Sequence, residues 1–121
     1  MYTLAVEKII SMAHQLKGYQ GPCANIHGHN WKFRIQVTSN QLNRLGIAID
    51  FVDLERWLWE IIGPFDHHLI NRIPPFDNLN PTAENLVKYI YEEMKSRLPE
   101  TVMLQKVTAW ETDGCMVSYE E

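Results

Sequence analysis

The stretch Cys23-Ala24-Asn25-Ile26-His27-Gly28-His29 sets a thiol and a pair of imidazoles close together in the chain. Side chains two apart on a strand point to the same side, so His27 and His29 present their rings to a common point if a strand begins there. His14 ends a separate alternating segment and shares the parity of its apolar face. If the two segments pair as a hairpin, the ends at His14 and His29 lie next to each other across the loop. Three neutral imidazoles then converge, a donor set suited to zinc. The number of ligands decides what such an ion does: four protein ligands make a closed structural site, three leave a position for water or substrate. Cys23 is either the fourth ligand of a closed site or a base beside an open one. The absence of a Cys-x-x-Cys pair in the sequence favours the base. A third reading leaves the three histidines unrelated, because His-x-His alone is a weak signal.

A second group is Asp66-His67-His68. An aspartate beside a histidine orients the imidazole, or relays a proton with it, only when both face one cleft; otherwise the group is a polar surface loop. Glu111 ends an apolar segment between Trp110 and Thr112, where a carboxylate is costly unless paired or functional. Glu84 has a plainer explanation, since acids are favoured in the first turn of a helix by its dipole. Neither His68 nor Cys115 receives a role from its surroundings in the sequence.

The elements that must position these groups follow from periodicity. Tyr2, Leu4, Val6, Lys8, Ile10, Met12 and His14 alternate as a first strand, and Leu16 to Ile26, with Gly18, Gly21 and Pro22, reads as a loop. Trp31, Phe33, Ile35 and Val37 alternate with Lys32, Arg34, Gln36 and Thr38, which predicts a half-buried strand from His29 to Thr38. Asp50 reads as the N-cap of a helix from Phe51 to Ile62, with Phe51, Leu54, Leu58 and Ile61 on one face and Gly63-Pro64 as its stop. Asn80-Pro81-Thr82 opens a second helix with proline in its first turn, and Leu86, Ile90, Met94 and Leu98 recur along it. Strands from Val102 to Trp110 and from Cys115 to Tyr119 flank a turn at Asp113-Gly114. The order strand, strand, helix, helix, strand, strand argues for an α+β fold, an antiparallel sheet covered by helices on one side.

Composition bounds the rest. A chain of 121 residues with 45% hydrophobic and 21% charged residues is expected to form one domain over 1–121. Eleven basic against fifteen acidic residues, scattered along the chain, give a net charge of −4 and make nucleic acid a poor partner. No apolar run approaches the ~20 residues needed to span a bilayer, and the N-terminus lacks the pattern of a secretory signal, so the expected location is the cytoplasm with both cysteines reduced. So small a domain rarely encloses a deep pocket alone.

Taken together, Ala13-His14, Cys23-x-x-x-His27-Gly28-His29-Asn30, Ile49-Asp50-Phe51-x-x-Leu54, Phe65-Asp66-His67-His68-x-x-Asn71, Pro81-Thr82-x-Glu84-Asn85 and Glu111-Thr112 occur in an order that resembles the 6-pyruvoyltetrahydropterin synthase / 6-carboxytetrahydropterin synthase family. The resemblance runs over nearly the whole chain. It implies the tunnelling fold, with ββααββ subunits assembled as trimers that stack into a hexamer, and zinc held by His14, His27 and His29. It further implies proton transfer by Cys23, Asp66 and His67 and substrate binding by Glu111 and Thr82, with Glu111 anchoring the pterin ring. Short members with this Cys-x-x-x-His-Gly-His spacing are similar to the 6-carboxytetrahydropterin synthase of queuosine precursor biosynthesis. That enzyme converts 7,8-dihydroneopterin triphosphate to 6-carboxy-5,6,7,8-tetrahydropterin, releasing acetaldehyde and triphosphate. The alternatives are 6-pyruvoyltetrahydropterin formation from the same substrate and a non-catalytic, zinc-stabilised pterin-binding module. If the site lies at a subunit boundary, Asp66 and His67 can serve the Cys23 of a neighbour.

Overall fold

The computed structural model describes residues 1–121, except that the side chain of Cys23 lies outside the described residues. Four strands, β1 (Tyr2–His14), β2 (His27–Ser39), β3 (Met103–Thr112) and β4 (Cys115–Tyr119), form one antiparallel sheet in the order β1-β2-β3-β4. Helices α1 (Phe51–Ile62) and α2 (Ala83–Lys95) lie between β2 and β3 in the chain. This is the α+β order read from the sequence.

Alternation explains the sheet. Val6, Ile10 and Met12 of β1 and Trp31, Phe33, Ile35 and Val37 of β2 are buried against the helices together with Leu104, Val107 and Ala109 of β3. The opposite face carries a Glu7–Arg34 ion pair at 2.6 Å and the Lys32 ammonium 4.3 Å from the Trp110 ring centre. The strand β2 begins at His27, earlier than its clean alternation, because pairing with β1 continues to the last couple, His14 opposite His27. His29 therefore sits opposite Met12, not beside His14 as the hairpin argument placed it. β3 likewise extends to Thr112, with a bulge between Trp110 and Thr112.

Asp50 caps α1, its carboxylate accepting from the Val52 N–H at 2.9 Å. Leu54, Leu58, Ile61 and Ile62 are buried, each contributing about 1.5–3 kcal/mol by removal of apolar surface from water. Phe51, assigned to the same face by spacing, is exposed instead: it starts the helix and borders a groove with Tyr2 and Leu42 rather than the core. In α2 the cap is Thr82, whose hydroxyl accepts from the Asn85 N–H at 3.1 Å, so Pro81 precedes the helix instead of occupying its first turn. Leu86, Val87, Ile90, Tyr91 and Met94 face the sheet. No helix is long and apolar enough to cross a membrane.

As a sheet edge, β1 has unpaired backbone groups along one side, and the loop after α1 takes up those nearest its end. The Ala13 N–H donates to the His68 carbonyl at 3.0 Å, the His67 N–H donates to the Ser11 carbonyl, and the Ser11 N–H donates to Asp66 Oδ1 at 3.0 Å. The loop holding Asp66 and His67 is thus strapped to the strand that holds His14.

Candidate metal centre and proton-transfer pair

His14, His27 and His29 all project from the helix-facing side of the sheet, at the end where β1 stops and β2 starts. Ring centres lie 4.5 Å apart for His14 and His27, 4.9 Å for His27 and His29, and 5.8 Å for His14 and His29. Trp31, in the next inward position of β2, packs edge-on against His14 at 5.1 Å and backs the cluster. The three histidines that spacing singled out do converge.

Their protons can be placed. The Nδ1 of His14 lies 2.8 Å from the Pro81 carbonyl and that of His27 lies 2.7 Å from the Asn25 carbonyl. A carbonyl only accepts, so both Nδ1 atoms carry the hydrogen and each Nε2 turns a lone pair inward. Burial pushes the His14 imidazole below the ordinary histidine range, which favours the neutral, ligating form. The Nε2 atoms of His14, His27 and His29 are buried without a hydrogen-bond partner. Buried polar atoms seldom stay unpartnered, and three imidazole nitrogens gathered at one point fit a divalent cation.

Glu111, projecting on the same side of the sheet as Val107 and Ala109, reaches this cluster. Its Oε1 is 2.9 Å from His29 Nε2 and 4.0 Å from the Nε2 of both His14 and His27. The four ligand atoms lie within 4.8 Å of one another. The sequence marked Glu111 as a costly carboxylate but did not connect it with the histidines; its parity with Ala109 was the available signal. Cys23, the other reading of a fourth ligand, belongs to the short turn Pro22–Ala24, and its thiol lies outside the described residues.

Asp66 and His67 form a pair, with His67 Nδ1 2.9 Å from Asp66 Oδ1. Adjacent residues on a strand point apart; here the loop brings them together because His67 adopts a left-handed backbone, φ 60°, which histidine tolerates better than bulkier residues. His67 is exposed and lines a depression of about 470 Å³ with Ser11, Ala13, Gly28, His29 and Asn30. Of the four residues at the candidate metal centre, only His29 reaches that depression. Within one chain the pair and the cluster therefore meet in this depression only through His29 among the described residues.

Other sequence candidates fall into supporting places. His68 is exposed, its Nδ1 donating to the Asp66 carbonyl at 2.7 Å. Glu84 sits in the first turn of α2 as expected, and Cys115 is a free, exposed thiol. Residues not anticipated from the sequence are the amides that clamp the loops: Asn71 exchanges two hydrogen bonds with the backbone of Gln15, both at 2.8 Å, and Asn80 accepts from the Lys17 N–H at 3.0 Å and donates to its carbonyl at 3.2 Å.

With this geometry in place, comparison with known proteins is informative. The family model for 6-pyruvoyl tetrahydropterin synthase matches residues 3–121. The chain is 31% identical to a putative 6-carboxy-5,6,7,8-tetrahydropterin synthase of Archaeoglobus fulgidus, over 78% of this chain and 76% of that protein. It is 27% identical to the 6-carboxy-5,6,7,8-tetrahydropterin synthase of Haemophilus influenzae over the full length of both. With human 6-pyruvoyl tetrahydrobiopterin synthase it shares 33% identity over 93% of this chain and 79% of the human one. The structure of the Caenorhabditis elegans 6-pyruvoyl tetrahydropterin synthase superimposes with a TM-score of 0.84 at 24% identity, covering 100% of this chain and 97% of the other. These relatives are pterin synthases, and the ββααββ sheet-and-helix fold is theirs as well. By sequence and by fold, the chain belongs to the 6-pyruvoyl tetrahydropterin synthase family.

Proposed function

We propose that the protein is a zinc-dependent 6-carboxy-5,6,7,8-tetrahydropterin synthase, a lyase that converts 7,8-dihydroneopterin triphosphate with release of acetaldehyde and triphosphate, on the route to queuosine. The observation that carries this reading is the set of three buried, unpartnered Nε2 atoms of His14, His27 and His29, in a chain of pterin-synthase relatives. These three residues would hold the ion. When bound, zinc supplies a Lewis acid that polarises a side-chain hydroxyl of the substrate and stabilises the negative charge left as a neighbouring proton departs.

The chain's own groups supply the rest. Cys23 is the base, a thiol whose pKa near 8.5 falls toward neutrality beside a cation. His67 Nδ1 faces Asp66 Oδ1 at 2.9 Å, which leaves His67 Nε2 as the nitrogen that exchanges a proton with substrate. Glu111 accepts two parallel N–H bonds from the guanidine-like edge of the pterin. Thr82 Oγ1 accepts from the Asn85 N–H and keeps its own hydrogen free to donate to substrate.

The assembly follows from what one chain lacks. The Asp66–His67 pair opens into a depression that excludes His14, His27 and Glu111, which supports a site completed at a subunit boundary, with the pair serving the Cys23 of a neighbour. The working form is then a homo-oligomer, a hexamer built as a dimer of trimers, each chain a single pterin-binding domain over 1–121, working in the cytoplasm. The human relative, at 33% identity, favours a second reading, formation of 6-pyruvoyltetrahydropterin from the same substrate.

Incubating the zinc-loaded protein with 7,8-dihydroneopterin triphosphate decides between them. Acetaldehyde, triphosphate and a product with the mass of 6-carboxytetrahydropterin are expected. Triphosphate with no acetaldehyde selects the second reading; neither product defeats both and leaves a zinc-stabilised pterin-binding module.

A further inference from the structure

We infer that Glu111 is an exchangeable fourth ligand: its carboxylate closes the histidine site over a divalent cation when substrate is absent and leaves the cation when a pterin takes its two oxygens. The second half of this inference rests on the pterin-anchoring role proposed above for Glu111; the first half does not.

A carboxylate stands among imidazole nitrogens that do not all donate to it. Both His14 and His27 have their hydrogen on Nδ1, held by the carbonyls of Pro81 and Asn25, so neither Nε2 donates to Glu111. His29 Nε2 lies 2.9 Å from Glu111 Oε1 and has no hydrogen-bond partner. An anionic oxygen directed at the Nε2 lone pairs of His14 and His27 is repulsive unless a cation lies between them.

The spacing agrees with this. Zinc–nitrogen and zinc–oxygen bonds of about 2.0–2.2 Å at tetrahedral angles separate neighbouring ligand atoms by about 3.3–3.6 Å. Glu111 Oε1 stands 2.9, 4.0 and 4.0 Å from the three nitrogens, values on either side of that separation, and all four atoms fall within 4.8 Å. Three imidazoles and one carboxylate make a closed tetrahedral set with no position left for water. Such a set binds metal well and performs no chemistry at the metal until one ligand leaves.

Glu111 is the ligand able to leave. The histidines are fixed at both ends, by strands β1 and β2 and, for His14 and His27, by the carbonyls behind their rings. Glu111 is half-buried and lies past the last β2–β3 pair, Lys32 with Trp110, at the bulge between Trp110 and Thr112 in the β3–β4 pairing. Accepting two parallel N–H bonds from a pterin edge takes both carboxylate oxygens, so the same group cannot keep its present place over the cation. Pterin binding would thereby uncover the metal only when a substrate is there to use it.

The test uses the intact protein loaded with cobalt(II), whose visible spectrum reports its ligands, and azide as a small competing anion. Wild-type protein is expected to resist azide, and Glu111→Ala to bind it at least tenfold more tightly. Adding 6-methylpterin, which has the guanidine-like edge but no hydroxylated side chain, is expected to make the wild-type protein bind azide as the variant does; this arm needs no mutation. A tenfold or greater loss of zinc affinity in Glu111→Gln, read by chelator competition, is the companion result. Equal azide affinity in wild type and Glu111→Ala overturns the ligand assignment. An azide response of the wild type that 6-methylpterin leaves unchanged overturns the exchange. Absence of triphosphate release from an enzyme that passes these tests removes the proposed reaction while leaving the ligand assignment in place.

Discussion

The histidine cluster and the Asp66–His67 pair are built in opposite ways from similar residues. The cluster stands on paired strands, is closed off from water at its nitrogens, and has two of its rings fixed from behind by backbone carbonyls. The pair stands on a loop, turns an exposed imidazole to solvent, and depends on three hydrogen bonds to the edge of β1 for its position. Ligands to a cation gain from being held in advance, since any rearrangement on binding weakens the site. A group that must take up and release a proton needs solvent access or a substrate beside it, and a strapped loop on a sheet edge provides that. The difference teaches which of the two regions is enclosed within a single chain: the cluster is, whereas the pair faces outward.

Removing one ligand is the harshest way to break this contrast. His14→Ala should lower zinc affinity by about 100-fold or more, a larger effect than the roughly 10–100-fold typical of losing an outer-shell partner, as measured by chelator competition. Stripping the metal from the wild type should lower its Tm, because a bound ion stabilises the folded state alone, while the His14→Ala protein should show no such loss. Retention of tight zinc in His14→Ala would dissolve the cluster as a site. His67→Ala should behave in the opposite sense, with metal content unchanged and turnover of 7,8-dihydroneopterin triphosphate reduced by about 10²–10⁴-fold, the usual reach of general acid–base catalysis. A His67→Ala protein that loses its metal would show that the two regions are one.

A finer cut falls within the pair. Asp66→Asn keeps an oxygen for the Ser11 N–H, so the loop stays on β1, but it removes the carboxylate charge 2.9 Å from His67 Nδ1. Turnover should fall about tenfold or more with little change in Tm. Wild-type turnover together with a lowered Tm would make Asp66 a strap for the loop and nothing else.

The same contrast governs how much could be read in advance. Period-two alternation of Trp31, Phe33, Ile35 and Val37 fixed the face of β2, and with it the common direction of His27 and His29, because strand geometry leaves few choices. Helix α1 was legible to the residue from the Asp50 cap and the Gly63-Pro64 stop. The hairpin register was not: nothing local says how a long loop sets two strands, and His14 came to face His27 with Met12 opposite His29. Parity alone would have put Asp66 and His67 on opposite sides, and only the left-handed turn at His67 joins them. Glu111 was noticed as a carboxylate out of place, yet its neighbourhood depends on β3 lying beside β2, a pairing across most of the chain. Residues whose direction follows from local geometry were readable; those whose partners are set by loops or long-range pairing were not.

Asn71 joins the two regions and offers the mildest test. Its side-chain amide accepts the Gln15 N–H and donates to the Gln15 carbonyl, both at 2.8 Å, standing in for a strand partner just past the end of β1. Gln15 follows His14 directly, and its own amide donates to the Ala24 carbonyl at 2.9 Å, in the turn that carries Cys23. One asparagine thus ties the loop after the Asp66–His67 pair to the end of the strand bearing His14 and, through it, to the β1–β2 loop. Asn71→Ala leaves two half-buried backbone groups without a partner, a loss of about 1–3 kcal/mol, which in a chain of 121 residues corresponds to a Tm lower by several degrees. Asn71→Asp keeps the acceptor and loses the donor, so about half the loss is expected. If the link carries position as well as stability, zinc affinity and turnover should both fall in Asn71→Ala, by a few-fold each, and recover together in Asn71→Asp. A fall in turnover with zinc affinity intact would assign Asn71 to the loop alone and leave the cluster standing on its strands without it.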